Sequence, residues 1–195
     1  GVPHHLLEAV VKYDLQMNLF ESVTAKCLHN IAFKAGKKVK VHIKIETGMN
    51  RLGVRGGKML DELLDFIEIV GVYTHFATST EGYYEPFAIQ QFEEFKSAVE
   101  QIRRRGIQLS YIHCCNSAAT AWFKEAYGTH IRSCSSILGH VAMEDGREPI
   151  GLTEPIEIGT YITNIHEVYP GESIGYNRAF RVTEPMKIAT LSIGF

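Results

Sequence analysis

Apolar residues recur along this chain in two rhythms, and the change from one to the other divides it. Ala88, Phe92, Phe95, Val99 and Ile102 step by four, three, four and three, a single stripe on a helix that opens after Pro86 and stops at Gly106. Met59, Leu60, Leu63, Leu64 and Ile67 predict a second helix, and weaker patterns predict helices over 6–13 and 23–35, the latter closed by Gly36. Between them, β-rich runs over 16–20, 39–45, 69–76, 109–114 and 130–134 predict strands, and 118–127 a short helix. Strands alternating with helical crossovers are the mark of a parallel α/β fold, either part of a TIM-type (β/α)8 barrel or a doubly wound sheet. No G-x-G-x-x-G follows any of these strands, which weighs against a dinucleotide fold. From about Gly151 the helical rhythm stops. Residues 155–168 and 186–193 read as alternating strands, with the turn Tyr169-Pro170-Gly171-Glu172 after the first. The expected division is therefore an α/β part over 1–150 and the start of a β-rich domain over 151–195.

Composition narrows the function classes. A chain of 195 residues that is 45% hydrophobic and 22% charged has enough apolar material for one substantial core, so it is neither disordered nor fibrous. The formal charge of −2 offers no basic surface, which argues against nucleic-acid binding. The run Arg103-Arg104-Arg105 closes a predicted helix, where cations suit the helix dipole. Cys27, Cys114, Cys115 and Cys134 include no C-x-x-C pair, so a reduced, cytoplasmic setting is expected, with Cys114 and Cys115 pointing opposite ways if they share a strand. His4-His5, and His113 beside Cys114, lack the carboxylates and spacing of a metal site, and no metal is expected. No apolar run approaches the roughly 18 residues of a membrane span. The abrupt opening on Gly1-Val2-Pro3 and the apolar close lead us to expect a piece of a longer protein.

In a parallel barrel, chemistry collects just after the strands. Lys44, Glu46 and Arg51 follow one predicted strand, His75 lies at the end of the next, Asn116 and Ser117 follow another, and Arg132 lies in the last. Each has an ordinary reading. Asn116-Ser117 could simply cap a helix, Arg132 sit in a partly exposed salt bridge, His75 in the core, Tyr176 pack as an aromatic, and Lys44 pair with Glu46.

Taken in order, however, Lys44-Ile45-Glu46-Thr47-Gly48-Met49-Asn50-Arg51-Leu52-Gly53 resembles the segment K-x-D-T-G-M-x-R-L-G of the alanine racemase family. The likeness continues through Tyr73-Thr74-His75-Phe76-Ala77, Cys115-Asn116-Ser117-Ala118 and Ile174-Gly175-Tyr176-Asn177, and it covers essentially the whole chain. The resemblance implies the second half of a TIM-type barrel followed by the start of a C-terminal β domain, in a pyridoxal 5′-phosphate-dependent enzyme of fold type III. It implies that Arg132 faces the cofactor's pyridine nitrogen and keeps it unprotonated, since a guanidinium can only donate. Asn116, Ser117 and the loop Cys134-Ser135-Ser136 are implied to hold the phosphate, and Arg51 to reach the phenolic oxygen. Lys44 is implied as a carbamylation candidate whose anion would orient Arg51. Inversion needs a base on each face of the α-carbon. The resemblance makes one of them Tyr176, reaching a partner subunit's site in a head-to-tail homodimer and linked through His75 to Arg132. The other is the cofactor-holding lysine of the first barrel strand.

Two residues depart from the family pattern. Cys134 stands where the family commonly has glycine, so its side chain is expected to crowd the phosphate, and Glu46 replaces aspartate. The expected substrate is alanine, then serine, for D-amino-acid supply to the cell wall. The wording of 174–177 is also similar to membrane-linked serine/alanine racemases associated with vancomycin resistance, so a membrane domain elsewhere in the protein is compatible. The 195-residue chain by itself is expected to be inactive. Two other readings stay open, a fold type III decarboxylase, which usually sets a glutamate against the ring nitrogen, and a non-catalytic cofactor-binding or regulatory homologue.

Overall fold

Helix α3 (Pro86–Arg104) shows how local sequence sets an element here. Pro86 occupies the first turn, where a missing N–H is harmless, and the Glu85 carboxylate accepts from the free N–H groups of Phe87 and Ala88. Its buried stripe is Ala88, Gln91, Phe95, Val99 and Ile102. Gln91 therefore takes the place that the sequence pattern gave to Phe92, which is only partly buried. Burying Phe95 and Ile102 contributes roughly 1.5–3 kcal/mol each, and truncating Phe95 to alanine would cost about 3–5 kcal/mol.

The computed structural model describes residues 1–55, 66–83, 85–141, 143–144, 146 and 150–194. The chain divides into two units, Gly1–Pro155 and Ile156–Phe195. In the first, α1 (Leu7–Lys12) is preceded by a 3-10 turn at His4–Leu6, so the helix predicted from Leu6 starts one residue later. Strand β1 (Met17–Leu19), helix α2 (Ser22–Ala35) with Gly36 at φ 61° as its left-handed cap, and β2 (Val39–Lys44) follow. Then come β3 (Ile67–Tyr73), α3, β4 (Tyr111–His113) and α4 (Ser117–Trp122), with a 3-10 turn at Lys124–Ala126. The four strands form one all-parallel sheet in the order β1-β2-β3-β4. Val41, Ile43 and Val72 on its central strands join Leu7, Leu28, Phe76 and Phe95 in one buried core.

Three expectations are corrected in this unit. Of the second predicted helix, Met59, Leu60, Leu63 and Leu64 lie outside the described residues, while its last member, Ile67, opens strand β3. Residues 130–134 form no strand, although Arg132 N–H donates to Cys115 O at 3.0 Å. The hydroxyl of Thr129 takes the Ile112 N–H, while the N–H groups of Thr129 and His130 both turn to Ile112 O, so no regular ladder develops. Cys114 and Cys115 lie past the end of β4 instead of alternating along it, and both thiols reach the Ala126 carbonyl, at 3.0 and 3.4 Å.

Among the described residues the second unit contains antiparallel pairs only. Strand β5 (Ile162–Val168) pairs with β8 (Met186–Leu191), and β6 (Ser173–Ile174) with β7 (Phe180–Arg181). The predicted strand from 155 begins only at Ile162, because its partner β8 ends at Leu191, two residues short of the predicted end. Tyr169 O accepts from Glu172 N–H at 3.1 Å, closing the turn read from Pro170-Gly171. Among the described residues, no helix is long and apolar enough to cross a membrane.

Candidate functional site

The parallel strands deliver their polar residues to one cleft of about 480 Å3, lined by Gln16, Asn18, His42, Lys44, Arg51, Tyr73, His75, His113 and Arg132, with Met17 and Leu52. Lys44 ends β2, Tyr73 ends β3, and His113 ends β4. Four residues singled out in the sequence, Lys44, Arg51, His75 and Arg132, therefore share a wall although the chain separates the first from the last by 88 positions (132 minus 44).

Arg132 is the most heavily bonded group in the cleft. Its Nη1 donates to His113 Nδ1 at 2.7 Å and to His113 O at 3.1 Å. Its Nη2 donates to Thr74 O at 2.9 Å, His75 Nδ1 at 3.0 Å and Cys114 O at 3.1 Å. The guanidinium carbon also sits 5.3 Å from the Tyr73 ring centroid, within cation–π reach. Every one of these acceptors is uncharged, so the cation is held by dipoles instead of a carboxylate. Among the described residues its Nε–H takes no protein partner.

The two imidazoles respond to that cation. Burial first, then the positive charges of Arg132, Arg51 and Lys44, pushes His75 down to about 4 from its ordinary 6.5. Burial, then Arg132, His42 and His130, pushes His113 down to about 3. Both are neutral near neutrality, as a ring nitrogen that accepts from an arginine must be.

At the other end of the cleft Lys44 is 2% exposed, and its ammonium donates to Leu52 O and lies 3.5 Å from Glu46 Oε2. Burial lowers the Lys44 pKa, opposed by the Glu46 charge. Burial alone would raise Glu46, but the N–H groups of Asn50 and Gly48 and the Lys44 charge outweigh it. Glu46 Oε1 takes the Gly48 N–H at 2.7 Å, whereas the buried Oε2 has no hydrogen-bond partner. Arg51 is exposed at the cleft rim.

A second cluster surrounds Ser117, whose hydroxyl oxygen accepts from Cys134 N–H at 3.0 Å and from Ser136 N–H at 3.4 Å. Ser135, between them, instead offers its carbonyl to His140 N–H at 3.0 Å. Asn116 is the α4 cap, its Oδ1 accepting from Ala119 N–H at 2.9 Å, and its amide is paired with Ser79. Cys134 has a negative φ of −135°, so its backbone does not call for glycine there, and it is exposed. Tyr176 belongs to the second unit, on a 3-10 turn at Tyr176–Arg178, where it is 97% exposed. Within its own unit it does not pack as an aromatic.

Sequence reasoning missed the supports. Gln91, fully buried, donates to Thr47 Oγ1 and His75 O, both at 3.2 Å, and accepts from Ala77 N–H at 2.9 Å. Thr47 and Thr74 share a hydroxyl contact at 2.7 Å. The available signal was a glutamine on the apolar stripe of α3. His113, set aside as a metal ligand, and His42 also join the cleft.

With this geometry established, comparison with known proteins gives a consistent result. The family model described as alanine racemase, N-terminal domain, matches residues 1–140, and that described as alanine racemase, C-terminal domain, matches 156–195. The chain is similar to alanine racemase 2 of Caldanaerobacter subterraneus subsp. tengcongensis, 35% identical over 96% of this chain and 50% of that protein. It is similar to alanine racemase 1 of Oceanobacillus iheyensis, 29% identical over 99% of this chain and 53% of that protein. Among solved structures, the alanine racemase of Clostridium difficile 630 superposes with a TM-score of 0.89 at 28% identity, over all of this chain and 52% of that one. A histidine racemase from Leuconostoc mesenteroides subsp. sake reaches 0.87 at 16% identity over 99% of this chain and 53% of that one, a likeness of fold alone. The chain spans about half the length of the curated relatives it matches. The parallel sheet is thus part of a (β/α) barrel, and the antiparallel unit belongs to the β-rich C-terminal domain.

Proposed function

We propose that this chain, which belongs to the alanine racemase family, forms the cofactor-facing wall of a pyridoxal 5′-phosphate-dependent enzyme that interconverts L- and D-alanine. The observation that carries the reading is the contact between Arg132 Nη2 and His75 Nδ1, 3.0 Å, in a cleft shared with Lys44 and Arg51. The residues fit the cofactor. Among the described residues Arg132 keeps its Nε–H without a protein partner, suited to a ring nitrogen, and the N–H groups of Cys134 and Ser136 already converge on a hydroxyl oxygen at Ser117, as a phosphate would require. When bound, pyridoxal phosphate supplies an electron-withdrawing ring that acidifies the α-hydrogen of the attached amino acid.

The chain's own residues would then divide the work. Arg132, a permanent cation and donor, holds the ring nitrogen unprotonated, which moderates electron withdrawal and favours return of the proton to the α-carbon. Arg51 approaches from the rim, where the anion formed by carbamylation of Lys44 would orient it, and Lys44 is the carbamylation candidate because burial favours its uncharged amine, the form that reacts. Ser117, Asn116, Cys134 and Ser135 with its neighbour Ser136 make the phosphate end. Tyr176, wholly accessible in its own unit, is the base for one face in a partner subunit's site of a homodimer, and His75 tunes it. The lysine implied by the resemblance serves the other face.

Complementation of a D-alanine auxotroph tests this. The full-length gene should restore growth, and its Tyr176→Phe variant should not. Undiminished rescue by that variant would remove the proposed base. The purified 195-residue chain, lacking the lysine, should develop no Schiff-base absorbance with pyridoxal phosphate and show no racemisation.

A further inference from the structure

Besides the contacts to His75 and to backbone carbonyls, Arg132 ends a line of side chains that crosses the sheet. Gln16 stands just before β1, His42 is on β2 and His113 on β4. Gln16 Oε1 lies 2.9 Å from His42 Nε2, His42 Nδ1 lies 3.1 Å from His113 Nε2, and His113 Nδ1 lies 2.7 Å from Arg132 Nη1.

The direction of each bond follows from the arginine end. A guanidinium only donates, so His113 Nδ1 is an acceptor, and a neutral His113 keeps its hydrogen on Nε2. That hydrogen goes to His42 Nδ1, so His42 carries its own on Nε2 and needs an acceptor there. The amide oxygen of Gln16 is that acceptor. By the same reasoning His75, whose Nδ1 accepts from Nη2, presents an Nε2–H.

Strand β3 leaves a lane for this line. Its residue opposite His42 is Gly71, where a Cβ would lie 2.5 Å from His42 Nδ1 and 2.7 Å from its Cγ. Glycine inside a strand is destabilising in itself, and a backbone approached this closely by a ring is a reason to keep it. The ladder also shifts register between Val41 and His42. Tyr111 and Tyr73 flank the imidazoles, with ring centroids 4.9 Å from His42 and 5.0 Å from His113. The charged and titratable neighbours are Arg132 and His130, and with burial they keep both rings neutral, the state that the bond directions require.

We propose that Gln16 and His42, acting through His113, are positioning residues for Arg132: a one-way hydrogen-bond line through the lane at Gly71 fixes the guanidinium's orientation and the tautomer of His75. Its kinetic consequence rests on the racemase reading, but the line itself does not.

The test is two-bond nitrogen–proton NMR of the full-length protein with 15N-labelled histidine, near neutral pH, without cofactor or substrate. His42, His75 and His113 should each be neutral with hydrogen on Nε2. Gln16→Leu, at an exposed position that tolerates change, should leave the His42 Nε2–H without its acceptor and shift the His42 Nε2 signal, while the tautomer stays set from the arginine end. Gln16→Glu, which again places an acceptor oxygen at His42 Nε2–H, should return that signal toward its bonded position, and Gly71→Ala should alter the His113 signals. In steady-state kinetics Gln16→Leu should lower kcat about tenfold with KM held within roughly twofold, the scale of second-layer support. Hydrogen on His42 Nδ1, a Gln16→Leu spectrum identical to wild type, or a shifted His42 Nε2 signal with an unchanged kcat would each overturn the proposal. If the tautomers follow the line but the wild-type protein does not racemise alanine, the functional reading fails and the line stands.

Discussion

The two ends of the cleft hold their cations in opposite ways. Arg132 makes five hydrogen bonds, to three carbonyls and two imidazoles, and among the described residues it has no carboxylate partner. Lys44, buried as well, has one carbonyl and one carboxylate at 3.5 Å, and the carboxylate oxygen facing it has no hydrogen-bond partner. A planar fork can be saturated by fixed neutral dipoles at several points, which locks its orientation. An ammonium on a flexible stem beside a carboxylate is held by charge with little geometry. The arginine end is therefore a rigid fixture, and the lysine end an ion pair with unused capacity.

Removing each cation measures that difference. Arg132→Met should be the most damaging, on the order of 4 kcal/mol by denaturant unfolding, since it strips charge-assisted bonds from three buried carbonyls and two rings. Should Lys44→Met cost more, the ranking of the two ends is reversed. Gln91→Leu should cost about 2–3 kcal/mol, because this amide ties the Thr47 loop at the lysine end to the His75 loop at the arginine end. Lys44→Met should cost about 2 kcal/mol by leaving Glu46 buried and unpaired, and adding Glu46→Leu should recover most of it. A double variant no better than the single would mean that the pair contributes no mutual compensation.

The smallest effect is one of pH. As the pH falls below 6.5, the unfolded chain protonates its histidines, whereas folded His75 resists until about 4 and His113 until about 3. The unfolded state thus binds more protons across this window, and stability falls as the pH is lowered through it. Urea midpoints at about pH 7.5 and about pH 5 should differ by less in His75→Gln than in the wild type. An equal difference would mean that His75 is not held neutral by its surroundings.

Much of this architecture was legible in the chain. The α3 stripe, Gly36 and the apolar strand runs predicted elements now seen, because burial on one face and a left-handed cap leave a local periodic trace. The grouping of Lys44, Arg51, His75 and Arg132 followed from collecting polar residues near strand ends. Gln91 and the bonds among Gln16, His42 and His113 were not legible, since their partners lie 14 to 71 positions away and leave no local pattern. The same holds for 130–134, read as a β-rich run, where the Thr129 hydroxyl takes the donor that a ladder needs.

The sequence by itself determined which residues are apolar, where helices can begin and end, and which chemical groups are available after each strand. It thereby also determined the family. Only the tertiary structure decided which of those groups touch and which way each hydrogen points. A hydrogen bond's direction depends on every partner along its line, and here the line is assembled by parallel strands that bring distant parts of the chain side by side.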